Sequence, residues 1–424
     1  MIAAICAAIA VHLCVGQVPA TERTAERPDS WLVLYNSNVP DSVAWAAWYS
    51  SLWGIPQEQL LGLDASTDEH LADAATAEAQ VFGPVRTYLA MRPDIEARIM
   101  GIVVGYRVPG HFGTVPYGYG GISIANALQD PEDTTLSINP DYPHRFGNVL
   151  PPQGRLTKSR MSAKHYMVAR IDGPDLAAAK MLSRRAKWLW SAGAVLPGQW
   201  VYHDYQDAQM GTWTWLKRAV EYPSLGGLPW RAFDDDTEQT PSDAFRFGWH
   251  DVRNWTDARL RGLPAGPRIL AYNLNSWGAT TVRSTTAEEG RYVPNAIQAG
   301  YAAAIGSTGE PVTTNAPYVD TLLAGLMSGW TLGECFYLSN PYDDLTWTLV
   351  GDPLLRVPDW SPPPTHVAAD FDVDGDVDMA DFTLLQQCFT GPTPTVPLCC
   401  VPVDLDCDDD VDCLLYTSPS PRDS

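Results

Sequence analysis

Apolar and polar residues follow one another along the chain in blocks that predict strands and helices in turn. Residues 31–35 (WLVLY) form a continuous apolar run, and residues 42–53 have the spacing of a helix. Continuous apolar runs are typical of strands buried on both faces of a sheet. The same criteria predict further strands at 102–106, 166–171, 200–202 and 269–274, and further helices at 176–192 and over much of 74–99.

This alternation predicts an α/β domain over residues 31–358, in which helices flank a largely parallel sheet. Substrates bind such sheets at the carboxyl ends of the strands. The candidate site residues are therefore those that follow the predicted strands: 36–38, 107–111, Asp172, 203–204, 249–250 and 275–276.

Charge and hydropathy exclude several classes of function. The 424 residues carry a net charge of −22 and a pI near 4.6, which argues against binding to nucleic-acid phosphates. No interior apolar run is long enough to predict a membrane span. The acidic excess is concentrated in residues 361–424, which hold 13 Asp, no Glu and one Arg. This distribution indicates a cation-binding appendage.

We assign neither end of the chain to a folded domain: the first is predicted to be a processed segment and the last a sequencing artefact. Residues 1–20 are apolar and end in Val-Pro-Ala, which predicts a signal peptide, with a buried first helix as the alternative. We therefore expect a secreted or cell-envelope protein, in which disulfides are allowed. Residues 413–424 (CLLYTSPSPRDS) resemble a translated sequencing adapter, so we exclude them from fold reasoning.

The segment 370–381 (DFDVDGDVDMAD) carries the strongest chemical signal. Acids occupy loop positions 1, 3, 5, 7, 9 and 12, and Gly375 at position 6 permits a sharp turn. Calcium takes six to eight oxygen ligands, and this spacing wraps a short loop around one ion. The predicted Ca²⁺ ligands are Asp370, Asp372 and Asp374 through their side chains, Asp376 through its carbonyl, Asp378 directly or through water, and Asp381 as the closing carboxylate.

A second acidic run repeats this spacing 34 residues later. It has Asp409 where Gly is expected and Leu415 where an acid should close the site. Its predicted ligands are Asp404, Asp406, Asp408 and Asp410. An EF-hand ends its loop in Glu, whereas Asp381 leading into an apolar helix resembles the dockerin repeat of secreted bacterial enzymes.

The dockerin resemblance implies a calcium-dependent module over residues 370–412 that attaches to a protein partner. A stiff Pro-rich linker at 361–369 precedes this module. Its four cysteines leave two alternatives open, a disulfide between the repeats or a zinc site without the usual paired spacing: Cys388, Cys399, Cys400 and Cys407.

The large domain contains ordered stretches that carry a second resemblance. These are GPRILAYNLNSWGATT, AIQAGYAAAIGSTGEP, TLLAGLMSGWTLGECFYLS and LVGDPLLRVP between residues 266 and 358, with LVLYNSNVPDS and RIDGP earlier. They resemble an uncharacterised family of secreted bacterial proteins that share the end of a gingipain-like cysteine peptidase domain. The resemblance implies a caspase-like fold ending in a GDPL motif.

Where that fold is active, a cysteine follows one strand and a histidine follows the strand before it. In this chain Ser276 stands near the cysteine position and His250 near the histidine position. Cys335 lies in a predicted helix and is interpreted as buried packing. The sequence therefore predicts a peptidase-like domain that lacks the Cys/His dyad.

Three hypotheses remain for the activity. The first is a non-catalytic binding protein. The second is a secreted hydrolase in which Ser276 is the nucleophile and His250 the base, with Asp204 or Asp251 as a conjectural acid. The third is polysaccharide attachment through exposed tryptophans, with an acidic cluster at 234–238 that could supply the two carboxylates of a glycosidase.

Overall fold

The computed structural model of the chain describes residues 23–114, 120–133, 139–142, 156–192, 199–204, 230–233, 243–249, 268–274, 276–284, 292–310, 316–341, 346–357 and 379–389. The predicted signal peptide and the linker lie outside these residues. So do the first acidic run up to residue 378 and the whole of the second run.

A ten-stranded sheet dominates the described residues. Its strands lie in the order β2-β1-β4-β7-β13-β12-β11-β10-β8-β9, and a small second sheet has the order β3-β5-β6. The strands are β1 (Trp31–Asn36), β2 (Leu60–Leu63), β3 (His70–Leu71), β4 (Gly101–Val104), β5 (His111–Phe112), β6 (Ile122–Ser123), β7 (Met167–Arg170), β8 (Gln199–Asp204), β9 (Trp230–Phe233), β10 (Asp243–Trp249), β11 (Arg268–Asn273), β12 (Tyr301–Ser307) and β13 (Trp347–Gly351).

Helices connect most of these strands. The α-helices are α1 (Pro40–Trp53), α2 (Ala74–Ala77), α3 (Gly83–Met91), α4 (Pro93–Glu96), α5 (Ile124–Ala127), α6 (Leu176–Ala192), α7 (Tyr292–Gln298), α8 (Val319–Met327), α9 (Leu332–Ser339) and α10 (Met379–Cys388). Short 3₁₀ turns occupy Pro28–Ser30 and Gln57–Gln59, and a π-helical turn at Glu78–Phe82 joins α2 to α3.

The apolar run at residues 31–35 is explained by the burial of strand β1 on both faces of the sheet. Trp31 and Val33 belong to the core on one face of the sheet, and Leu32 and Leu34 to the core on the other face. The partner of Trp31 in the ladder is Gly101, where a Cβ would lie 2.2 Å from the indole. Burial on both faces is the property of a parallel sheet between helices, and it explains the unbroken run.

The predicted fold class, an α/β domain with a largely parallel sheet flanked by helices, is confirmed. Within each half of the sheet, β1, β2, β4 and β7 pair in parallel, as do β8 to β12. Strand β13 pairs antiparallel with β12. The helical stretch expected within 74–99 is interrupted, because a π-helical turn and a break before Pro93 divide it.

Candidate active site at the carboxyl edge of the sheet

Loops that follow β7 and β11 meet at one edge of the sheet. Arg283, in the loop after β11, donates from Nε to a carboxylate oxygen of Asp172 at 2.9 Å. Asp172 comes two residues after β7. The structure therefore brings together loops from both halves of the sheet, where candidate residues were expected.

Four charged residues meet at this edge and form the ion cluster, which comprises Arg170, Asp172 and the partly exposed Glu69 and Arg283. Nη2 of Arg170 donates to Asp172 at 2.7 Å and to Glu69 at 2.8 Å. Arg170 and Asp172 are fully buried. Burial alone would raise the pKa of Asp172, but Arg283 and Arg170 outweigh it and hold that pKa below its usual value. Each buried charge therefore has an opposite charge beside it.

The ion cluster also fastens the surrounding loops. The Glu69 carboxylate accepts hydrogen bonds from the Thr281 hydroxyl at 2.7 Å and from the Val282 backbone N–H at 2.9 Å. The Arg283 guanidinium donates to the carbonyl of Val108 at 2.7 Å. These bonds join three segments of the chain, so the cluster acts as a structural brace, while Nε and Nη1 of Arg170 have no hydrogen-bond partner among the described residues.

His111, one of the predicted edge residues, lies beside the ion cluster. It is 5% exposed, and its ring stacks on that of His70 with centroids 4.7 Å apart. Burial, followed by the charges of His70, Arg170 and Arg283, lowers the pKa of His111 to about 3. His111 is therefore neutral at physiological pH, and no described residue forms a hydrogen bond with its Nδ1.

Ser276 lies at the same edge, three residues after the end of β11. Its hydroxyl donates to Oε1 of Glu310 at 2.8 Å. Glu310 comes three residues after the end of β12, the parallel neighbour of β11. Both residues are partly exposed, unlike Arg170 and Asp172, so this pair can meet a solute.

Backbone bonds fix the turn that begins at Ser276. The N–H of Trp277 donates to the carbonyl of Gly309 at 3.2 Å, and that of Ala279 to the carbonyl of Ser307 at 2.8 Å. Trp277 has φ +61°, one of three positive values among the described non-glycine residues. A left-handed conformation of this kind costs about 1–3 kcal/mol and is found disproportionately at active sites.

Cys335 has no place at this edge. It lies in α9, is 1% exposed, and its sulfur packs against Gly325. Its interpretation as buried packing is confirmed. A nucleophilic thiol must be accessible and near a basic group, and this burial excludes Cys335 from that role.

Other predicted site residues lie partly or wholly outside the described residues. His250, Asp251 and the acidic cluster 234–238 fall outside them, and only the backbone of His203 and Asp204 is described, within β8. Of the calcium ligands, Asp381 is described, as a backbone position in α10. The remaining predicted ligands are outside: Asp370, Asp372, Asp374, Asp376, Asp378, Asp404, Asp406, Asp408 and Asp410.

Among the residues that the structure covers, no group of three or more His, Cys, Asp and Glu is arranged to hold a metal ion. In that same part of the chain, no helix combines the length and apolar character needed to cross a bilayer.

No protein-family model and no curated protein matches the chain. Among solved structures, one of a protease superimposes with a TM-score of 0.46 and 9% sequence identity, covering 78% of this chain and 78% of that one. The crystal structure of the Saccharomyces cerevisiae separase–securin complex gives a TM-score of 0.30 and 9% identity, over 44% of this chain and 14% of that one. Because both TM-scores are below 0.5, neither similarity bears on the activity of this protein.

Proposed function

We propose that the protein is an exported, peptidase-like protein without cysteine-peptidase activity, attached to a protein partner by a calcium-binding module. The observation that carries the first part is the burial of Cys335 in α9. The position that a gingipain-like domain gives to its nucleophile falls after β11, and there the chain has Ser276.

The order of the strands supports the caspase-like part of this proposal. Strands β10 and β11 are parallel neighbours, with Phe247 opposite Tyr272 in the ladder. His250 directly follows β10 in the sequence, and Ser276 follows β11. The resemblance places these two residues at one edge of the sheet, where neighbouring parallel strands end.

The aspartate spacing supports the calcium module. A ligand at every second position over nine residues, followed by a closing carboxylate, suits a hard cation that takes six to eight oxygens. Helix α10 (Met379–Cys388) begins within the predicted loop, and it contains Phe382, Leu384 and Leu385 of the apolar helix that the sequence predicts after Asp381. The export signal and the partner belong to the same proposal.

Two independent measurements test the proposal on the full chain. Alkylation followed by peptide mass mapping should label Cys335 only after denaturation, and Cys335→Ala should leave any hydrolysis of casein unchanged. Labelling in the native protein, or loss of hydrolysis in the variant, would contradict the first part.

Calorimetric titration with calcium tests the module. Asp370→Ala and Asp381→Ala should each weaken binding, because each removes a carboxylate ligand. Asp68→Ala, an exposed aspartate of the large domain, should bind calcium as the unmodified chain does. Absence of binding heat, together with an unchanged melting temperature, would reject the calcium site.

A second candidate function is a hydrolase that uses a residue other than cysteine. The hydrogen bond of 2.8 Å from Ser276 to Glu310 favours it over polysaccharide attachment, because it joins a nucleophile to a carboxylate at an accessible strand end.

A further inference from the structure

We propose that Ser276 and Glu310 form the nucleophile and general base of an acyl hydrolase site. The inference rests on the second candidate function, and it assigns the base to Glu310 rather than to His250. Nucleophile and base are recognised by hydrogen-bond contact between accessible side chains, and Ser276 Oγ lies 2.8 Å from Glu310 Oε1.

The two residues lie just beyond the ends of neighbouring strands. Each follows its strand by three residues, and β11 and β12 run in parallel register from Arg268 opposite Tyr301. The pair is therefore supported by sheet backbone rather than by a long loop, which favours the precise positioning that catalysis needs.

Three segments converge on this pair and hold it rigidly. The turn at 276–280 is bonded to residues 307–309 by the backbone, and Gly309 forms a bridge with Gly120. The Thr308 hydroxyl donates to the carbonyl of Gly121 at 2.7 Å. Trp277 keeps its left-handed conformation within this bonded frame. Strain maintained by surrounding contacts points to a functional constraint at the residue beside Ser276.

The carboxylates of the ion cluster cannot serve as the base. Asp172 accepts from Arg170, Arg283 and the N–H of Gly173, and it is fully buried. Glu310 is partly exposed, and its contact with the Ser276 hydroxyl leaves a carboxylate able to accept a proton.

The pair fits substrates with an ester or amide carbonyl. Ser276 Oγ bonds to the carbonyl carbon while its proton passes to Glu310, and the leaving alcohol or amine takes that proton as its own bond to the carbon breaks. Water then attacks the acyl-serine and gives a proton to Glu310. The acid departs as that proton returns to Ser276 Oγ, so the enzyme is regenerated without any oxidant or cofactor.

The test uses the full chain with a fluorophosphonate probe and with p-nitrophenyl acetate, at neutral and mildly acidic pH. The peptide containing Ser276 should carry the phosphonate, and Ser276→Ala should reduce labelling and turnover to background. Glu310→Gln should lower the turnover number by about 10²–10⁴-fold, the usual contribution of a general base.

Matched controls lie away from this edge. Glu96→Gln changes a glutamate in α4, which leads into the amino end of β4, and Ser328→Ala removes a hydroxyl bonded to the carbonyl of Ala324. Both should keep full activity, and circular dichroism should show all four variants folded.

Three results would overturn the assignment. If Ser276→Ala turned over substrate as fast as the unmodified chain, Ser276 would not be the nucleophile. Full activity in Glu310→Gln would remove the base. Loss of activity in a folded His250→Ala with Glu310→Gln unaffected would transfer the base to His250. None of these results changes the outcome of the Cys335 or calcium measurements, so failure here and failure of the main proposal are distinguishable.

Discussion

The ion cluster and the Ser276–Glu310 pair lie at the same edge of the sheet. They differ in burial and in the number of hydrogen bonds that their carboxylates accept. In the ion cluster, the Asp172 carboxylate accepts three hydrogen bonds of 2.7–2.9 Å and has no contact with solvent. Within the part of the chain that the structure describes, the Glu310 carboxylate accepts one hydrogen bond, from the Ser276 hydroxyl, and it is partly exposed. A buried carboxylate that accepts several hydrogen bonds from charged and backbone donors holds its neighbours in place, whereas an accessible carboxylate beside a hydroxyl can meet a substrate.

Titratable groups at a strand end therefore do not by themselves identify a catalytic site. His111 and Asp172 were both predicted from their positions after strands, and both lie at the expected edge. Their burial and their partners make them structural. Ser276 was predicted on the same grounds and, unlike His111 and Asp172, it is partly exposed.

The largest expected effect follows from removing a charge of the ion cluster. Asp172→Asn leaves the guanidiniums of Arg170 and Arg283 buried without their shared counter-charge. We expect the free energy of unfolding to fall by about 3–5 kcal/mol, the usual consequence of breaking a buried pair. Urea denaturation measures this change.

Asp94→Asn is the matched control, because Asp94 pairs with Arg92 at the surface. Exposed pairs contribute little, so its urea midpoint should match that of the unmodified protein. Equal midpoints for Asp172→Asn and Asp94→Asn would show that the cluster does not stabilise the fold.

A smaller effect is expected where the backbone packs against the cluster. A Cβ at Gly110 would lie 2.0 Å from Nη1 of Arg170, so Gly110→Ala must displace that guanidinium. We expect a loss of about 1–3 kcal/mol in unfolding free energy, as for other overpacked interiors. Gly113→Ala adds a Cβ in open space at φ +58°, so its unfolding free energy reports backbone strain without any steric clash.

Fluorophosphonate labelling of folded Gly110→Ala tests whether the ion cluster affects the reactivity of Ser276. If the cluster is only a brace, Ser276 should react at the rate seen in the unmodified chain. A slower reaction in folded protein would mean that the bond from Thr281 to Glu69 transmits the disturbance to the 276–280 turn.

The sequence predicted the sheet and the edge, but not the partners of the site residues. The strand at β1 and the helix at Leu176–Ala192 follow from apolar periodicity, which is local. Strand β12 was missed as a strand because its small residues, YAAAIGS, have neither alternation nor β-branched enrichment apart from Ile305.

Glu310 was not predicted as a site residue, because pairing across the sheet joins residues that are far apart in the sequence. It is 34 residues from Ser276, and only the β11–β12 register brings the two together. The ion cluster had a weak signal in the sequence, since Arg170 interrupts an otherwise apolar strand and a buried charge requires a counter-charge. Nothing local identified Glu69 or Arg283 as its companions.

The smallest expected effect is a pH dependence at His111. Its pKa is about 3 in the folded protein and about 6.5 when unfolded, so the unfolded chain binds a proton that the folded chain rejects. The stabilisation is complete above the unfolded pKa and is lost as the pH falls toward 3. One unit below the unfolded pKa, the loss is about 1.4 kcal/mol.

His111→Gln should remove this dependence, and His165→Gln, at a partly exposed histidine, should retain it. Asp352 titrates in the opposite sense, because burial raises its pKa to about 6 and its neutral form favours folding as the pH falls. That contribution is common to all variants and cancels when their urea curves are compared one unit above and one unit below the unfolded histidine pKa. Parallel losses in His111→Gln and the unmodified chain would mean that His111 accepts its proton while folded. Burial would then lower the pKa of the folded His111 less than its 5% exposure implies.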